Sequence, residues 1–291
     1  MNSKTGKNGK TGKNGETGAN GMLFDDRALS EGGALSVSFL GSGSSGNCAV
    51  LRAGRTTVLL DAGLSPRETA RRLAAAGSSL DDVSALFLTH EHSDHVRGAP
   101  GLAKRGLALY ATEGTARGTS LPGPLFADVR RLPAGGEVRV GEIHVRAFAT
   151  PHDGAESVCY VFSDGAGRRV GVATDLGHLP PSLLALLAGC EVLGLEANHD
   201  VEMLRTGPYP SFLKRRILSD VGHLSNDAAA SCLPRLVAGR TRAVAALHIS
   251  KQNNTPALAR ASFAAALALC GASLSLEVAQ PDRPTPWLAT A

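Results

Sequence analysis

Residues 88–98 read LTHEHSDHVRG and stand at the end of an apolar segment, ALFLT (85–89), with the character of a buried strand. His90, His92, Asp94 and His95 thus fall within six residues, in a loop at a strand end where side chains can converge on one point. Three imidazoles and a carboxylate so close together are costly without a cation to share. Imidazole and carboxylate together suit Zn²⁺, Mn²⁺ or Fe²⁺. The bland alternative is a solvated histidine-rich loop. Against it stand three further strand ends: FATPHDG places His152 after a strand expected over 143–149, VATDLG places Asp175 after 169–174, and AALHIS places His248 after 243–247. A lone His or Asp at a strand end is ordinarily a cap or a satisfied polar group. Four such ends, all with metal-compatible side chains, are hard to assign to chance.

Working outward, LSVSFL, NCAVLRA and TTVLLDAG are short apolar or β-branched runs split by Gly-rich turns, as consecutive strands require. SPRETARRLAAAG reads as a helix opened by Ser65–Pro66 and closed by Gly77. A helix near 95–104 and a strand LALYAT follow, then four strand candidates, EVRV, IHVRAFAT, SVCYVFS and RRVGVATD. Helices and strands then alternate: PPSLLALLAG, EVLGLEAN, a helix within 209–218, a helix from Asn226 to Val237, TRAVAALHI, a helix over 256–269 and a last strand LSLEVA. Two blocks of strands, each flanked by helices, predict a layered α/β sandwich. No internal linker interrupts the pattern, so residues 34–291 are expected to form one domain.

The 291 residues are 43% hydrophobic, enough for a sizeable core, and no run of eighteen apolar residues offers a membrane span. Residues 1–21 repeat a TGKNG-like unit almost without apolar side chains and read as a disordered tail. No apolar segment adjoins its lysines, so it lacks the pattern of a secretory signal. The formal charge of +4 sits mostly there, four lysines against Glu16; the remaining 270 residues net +1 and are not a basic nucleic-acid module by charge alone. Cys48, Cys159, Cys190, Cys232 and Cys270 are scattered singly, which fits reduced thiols in a cytoplasm better than a disulfide framework.

The pattern His90–His95, followed by His152, Asp175 and His248, resembles the metallo-β-lactamase superfamily in order and spacing. Within it the chain is similar to the YycJ (WalJ) group of bacterial hydrolases. GSGSSGNC, LLDAGLS, LTHEHSDH, TPHD, ATDLG, LEANHD, GHLSN and HISKQNN carry the resemblance, from about residue 37 to 260. The group's last motif more often reads HLSKENN, so Ile249 and Gln252 depart from it at positions that are not ligands. The resemblance implies a four-layer αββα sandwich with two divalent metals, Zn or Mn with Fe as a further option, at its edge. It implies His90, His92 and His152 on the first metal, Asp94, His95 and His248 on the second, and Asp175 bridging both. It also implies a DNA substrate and 5′-to-3′ exonuclease activity, with Asp94, Glu196 and His223 as the catalytic set and no membrane partner; a homodimer stays open.

That ligand set is complete without His223 in GHLSN. RNA-processing phosphodiesterases of the superfamily use a Glu and a His on separate loops as an acid relay, and Glu196 in LEAN and His223 resemble those two elements. The match is partial, since Leu195 replaces the histidine that opens the tRNA-processing version. A histidine paired with a carboxylate is suited to donating a proton at neutral pH. The alternative is that His223 caps the helix beginning near Ser225. GSGSSGNC could cradle a phosphate through backbone N–H groups or simply turn the chain, with Ser44 or Asn47 near the metal edge. Lys214, Arg215 and Arg216 in LKRRI could grip phosphates or line a solvated helix face. His199 is expected to support the loop after Glu196. Three functions follow: a nuclease, a hydrolase of small acyl substrates (thioester, lactone or β-lactam), and a binding protein without catalysis. Seventy-two residues between Asp175 and His248 are too few for the inserted clamping domain of some RNA-degrading relatives.

Overall fold

The structure is a computed structural model and describes residues 33–119, 121–123, 127–271 and 273–291; the tail expected over 1–21 lies outside them. Two seven-stranded sheets face each other. The first contains β1 (Ser36–Gly41), β2 (Cys48–Ala53), β3 (Thr56–Leu60), β4 (Val83–Phe87), β5 (Ala108–Ala111), β6 (Arg130–Arg131) and β14 (Leu288–Ala289), in the order β14-β1-β2-β3-β4-β5-β6. The second contains β7 (Glu137–Val140), β8 (Ile143–Ala149), β9 (Val158–Ser163), β10 (Arg169–Ala173), β11 (Val192–Glu196), β12 (Ala243–Leu247) and β13 (Ser275–Val278), in the order β13-β12-β11-β10-β9-β8-β7. Each sheet starts as antiparallel hairpins and becomes parallel where crossovers intervene: β3 to β6 in the first, β10 to β13 in the second. Parallel strands end at one common edge, and the loops of the site leave from it.

The central strands, β1 to β4 and β9 to β12, are nearly continuously buried because both their faces are covered, whereas β7 and β8 towards one edge alternate. Phe39, Leu51, Phe87, Tyr160, Phe162, Val192 and Leu247 meet between the sheets. Phe87 stacks on Tyr110 with ring centroids 4.8 Å apart and meets Tyr160 edge-on at 5.6 Å. Helices Pro66–Ala75 and Ala99–Ala103 cover the outer face of the first sheet. Helices Pro181–Leu187, Asn226–Leu236 and Pro256–Leu269 cover the second. The layers are therefore α/β/β/α. Ser65 caps the first of these helices as expected, accepting a 3.3 Å hydrogen bond from Glu68 N.

Two expectations change. The helix read near 95–104 splits into Ser93–Val96 and Ala99–Ala103. Gly98 at the break donates its N–H to Ala62 O at 2.6 Å, and a Cβ there would stand 2.0 Å from Leu64 O. Strands β6 and β14, of two residues each, have no counterpart in the sequence reading, because two residues cannot display a period.

Candidate active site

Three non-glycine residues in the left-handed region mark the common edge: Asp61 (φ 59°), Asp175 (φ 62°) and His248 (φ 57°). They follow β3, β10 and β12, and this conformation costs roughly 1–2 kcal/mol for each L-residue. All three place side chains in one cluster.

His90 Nε2 lies 3.0 Å from His92 Nδ1, which lies 3.2 Å from His152 Nε2. The edge of a tetrahedron with Zn–N bonds of 2.0–2.1 Å is about 3.3 Å, so these three nitrogens are spaced as ligands of one ion. Beside them, Asp94 Oδ2 lies 3.5 Å from His95 Nε2 and 3.3 Å from His248 Nε2. Asp175 stands between the two groups: its Oδ1 is 3.8 Å from His152 Nε2 and 3.3 Å from His248 Nδ1, and its Oδ2 is 3.2 Å from His95 Nε2. That Oδ2 is buried and makes no hydrogen bond of good geometry among the described residues, the state expected of an oxygen shaped for a cation.

The far side of the rings fits the same use. His95 Nδ1 is 2.8 Å from Asp61 Oδ2, His152 Nδ1 is 3.1 Å from Gly222 O, and His90 Nδ1 is 3.0 Å from Thr89 Oγ1. An acceptor on one ring nitrogen fixes the tautomer and leaves the other's lone pair for a metal. Asp61, in LLDAGLS, ends a strand like the other site residues, but one acidic residue in an apolar stretch carries no sequence signal of this role. Its carboxylate also accepts from Thr89 N at 2.8 Å and thereby ties β3 to the histidine loop.

Burial pushes the imidazoles of His90 and His152 down from their usual range, towards the neutral form in which an imidazole can bind a metal. Burial works against charge on His95 and His248 too, but the surrounding carboxylates together, Asp175 with Asp61 for His95 and Asp175 with Asp94 and Glu196 for His248, hold both up, His248 to about 10. For Asp94 and Asp175 burial opposes ionisation, yet facing histidines, His248 foremost, keep both carboxyls well below the usual range.

Glu196, at the end of β11, is wholly buried. Its Oε1 lies 2.7 Å from His223 Nδ1 and 3.1 Å from His248 Nδ1, and its Oε2 accepts from Leu176 N (2.9 Å) and Leu224 N (3.1 Å). Burial raises its carboxyl, but the His223 charge and the histidine hydrogen bonds bring it down to about 2. The His223 ring sits 5.2 Å, centroid to centroid, from those of both His152 and His248. It does not cap the following helix: Ser225 does, accepting from Ala228 N at 3.1 Å.

The remaining candidates divide. Asn47 is buried, and its Nδ2 lies 3.2 Å from Asp94 Oδ2 and 3.0 Å from His95 Nε2, so it supports the second ligand group. Ser44 is exposed in the turn before it. Arg216 forks onto Asp153, at 2.5 and 2.8 Å, and Asp153 Oδ1 is 3.4 Å from His152 Nε2. Lys214 points away, donating to Arg205 O at 2.7 Å, and Arg215 is exposed. His199 supports its loop through the backbone, where its O accepts from Asn226 N; both its ring nitrogens are buried without a hydrogen bond among the described residues.

A parallel-edge cluster of this composition on an αββα sandwich has a known home. The beta-lactamase superfamily domain matches residues 56–249, and the chain belongs to that family. It is 38% identical over 236 residues to exodeoxyribonuclease YycJ of Bacillus anthracis, covering 80% of this chain and 89% of that one. It is 34% identical over 258 residues to exodeoxyribonuclease WalJ of Streptococcus pneumoniae, covering 86% and 96%. Among solved structures, Zn²⁺-bound PqqB from Methylobacterium extorquens superposes with a TM-score of 0.63 at 22% identity, over 86% of this chain and 99% of that one. YhfI from Bacillus subtilis gives 0.63 at 13% identity, over 87% and 99%. At such identities these two establish the fold alone.

Proposed function

We propose that the protein is a metal-dependent phosphodiesterase that degrades DNA as a 5′-to-3′ exonuclease. Two curated relatives aligned over most of the chain carry the name exodeoxyribonuclease. The observation that carries the reading beyond family membership is the Glu196–His223 contact of 2.7 Å beside the ligand cluster. Bound at these donors, two divalent ions, Zn or Mn, would make water acidic near neutral pH and offset charge on the phosphoryl oxygens. In this reading His90, His92 and His152 hold one ion, Asp94, His95 and His248 the other, and Asp175 both.

The chain's own residues then have separate tasks. Asp61, Gly222 O and Thr89 orient the ligand rings. Glu196 fixes His223 by its Nδ1, leaving Nε2 as the ring atom available to the substrate. As the P–O bond breaks, His223 gives its Nε2 proton to the departing sugar oxygen, and Glu196 stabilises the charge on the ring before transfer. An alkoxide needs that proton; a thiolate leaves without it, so hydrolysis of a thioester would give the pair little to do. The five cysteines are all free, which fits the reducing cytoplasm proposed for the protein.

The test is a panel: Zn²⁺- or Mn²⁺-loaded protein with end-labelled single- and double-stranded DNA and RNA, a thioester and a cephalosporin. Stepwise release of nucleotides from the 5′ end of DNA is expected. Acyl cleavage without nuclease activity would overturn the reading.

A further inference from the structure

Asn226 and Asn254 are buried, stand outside the ligand groups, and bind each other amide to amide. Asn226 Nδ2 donates to Asn254 Oδ1 at 2.9 Å, and Asn254 Nδ2 donates back to Asn226 Oδ1 at 2.8 Å. The Asn254 amide is also fixed from outside the pair. Thr255 N donates to its Oδ1 at 2.8 Å, and its Nδ2 reaches Ala197 O at 2.8 Å and Asn198 O at 3.1 Å. Three segments meet here. Residues 197–199 prolong β11 and run between residues 247–250, which carry His248, and residues 223–226, which carry His223. On one side Ala197 N donates to Leu247 O and Ser250 N to Asn198 O, both at 2.8 Å. On the other, Asn198 N donates to Leu224 O and Asn226 N to His199 O, both at 2.9 Å. Among the described residues, the amide pair makes the only hydrogen bonds that join 223–226 directly to 248–255.

We propose that the Asn226–Asn254 pair holds His223 in register with the ligand groups, and that the two asparagines are positioning residues for protonation of the leaving oxygen. This rests on the nuclease reading above. Helices Asn226–Leu236 and Pro256–Leu269, which start beside the two asparagines, already share an apolar cluster that contains Leu233 and Phe263. Apolar burial is non-directional and permits small slides. A satisfied, buried polar network instead specifies one arrangement. Each amide offers the other one donor and one acceptor, so the pair closes at a single relative position of the two loops. His223 needs that precision, because a proton donor acts only within about 2.6–3.2 Å of the atom it protonates. Among the described residues neither asparagine side chain hydrogen-bonds a member of the ligand groups, so the pair bears on the acid rather than on the ions.

The test measures single-turnover rates of the Zn²⁺- or Mn²⁺-loaded full chain on DNA and on a p-nitrophenyl ester of thymidine monophosphate, whose leaving group needs no proton. Asn226→Ala removes the pair while Asn254 keeps Thr255 N and Ala197 O, so the fold is retained. Asn226→Asp keeps the volume and sets a carboxylate oxygen against Asn254 Oδ1 in place of a donor. Both variants should cleave DNA roughly 10–100-fold more slowly, the scale of a misplaced catalytic group. Their metal content and their rates on the ester should stay at the wild-type values. Ser262→Ala cuts the 3.0 Å surface bond from Ser262 Oγ to Asp227 Oδ1 between the same two helices, and should match the wild type on both substrates. An equal loss on DNA and ester, a loss of metal, or full activity on DNA overturns the pair's role, as does the same selective loss in Ser262→Ala. If His223→Ala discriminates between the substrates and the Asn226 variants do not, this inference alone fails. If His223→Ala does not discriminate either, the acid reading fails with it, and a wild type inactive on DNA sinks the nuclease reading as well.

Discussion

Replacing His223 by alanine separates proton donation from metal binding. The side chain touches Glu196 at 2.7 Å, and after its removal that carboxylate still has His248 Nδ1 at 3.1 Å and the N–H groups of Leu176 and Leu224 at 2.9 and 3.1 Å. One charged hydrogen bond out of four is lost, so the stability cost should lie at the low end for such bonds, about 1.5 kcal/mol. The ligand groups keep their own contacts, and metal content measured by atomic emission should match the wild type. Turnover on DNA should fall by about 10²–10⁴, the usual contribution of a positioned general acid. The same variant should lose far less on a p-nitrophenyl ester of thymidine monophosphate, whose leaving group departs without a proton. Single-turnover rates on the two substrates decide the matter. An equal loss on both would refute the acid role, and a loss of metal would show that His223 belongs to the ligand set.

Three further outcomes follow from the same geometry. Asp61→Ala removes the acceptor on His95 Nδ1 and should weaken metal binding about 10–100-fold in calorimetric titration, although Asp61 is not among the proposed ligands. Burial pushes His199 down to about 4, so it is neutral in the fold, while the unfolded chain takes up the proton below its usual 6.5. Its contribution is whole above pH 6.5 and is lost as pH falls towards 4, by at most about 3 kcal/mol; in urea unfolding at several pH values, His199→Leu should show a flatter acid slope than the wild type. After chelation, added Zn²⁺ or Mn²⁺ should raise the melting temperature, a hundredfold excess over Kd stabilising by about 2.7 kcal/mol; an unchanged melting curve would count against the ligand assignment.

The strand-end histidines and aspartates were legible because an apolar run ending in a ligand-type residue needs only local sequence to be seen. The layering was legible for a similar reason, since helix caps and fully buried strands leave local marks. What sequence hid depends on register between distant strands. Glu196 and His248 can share a hydrogen bond because β11 pairs with β12, with Glu196 opposite Leu247. Asp61 looked like any acidic residue at a strand end, and only the packing of β3 against β4 brings it to His95 and Thr89. Arg216 could be read as a phosphate grip or a solvated face; its fork on Asp153 spans 63 positions and has no local signature.

The left-handed backbone at Asp61, Asp175 and His248 has a consequence for engineering. Asp61→Gly, Asp175→Gly and His248→Gly would each relieve roughly 1–2 kcal/mol of steric strain. Asp61→Gly would also strip Thr89 N and His95 Nδ1 of their buried acceptor, and hydrogen bonds to a charged group are worth about 1.5–3 kcal/mol each, so the strain is held in place by the contacts these side chains make. Strain and contacts at this edge are a single unit, and stabilised variants of the chain are better sought on its outer helices.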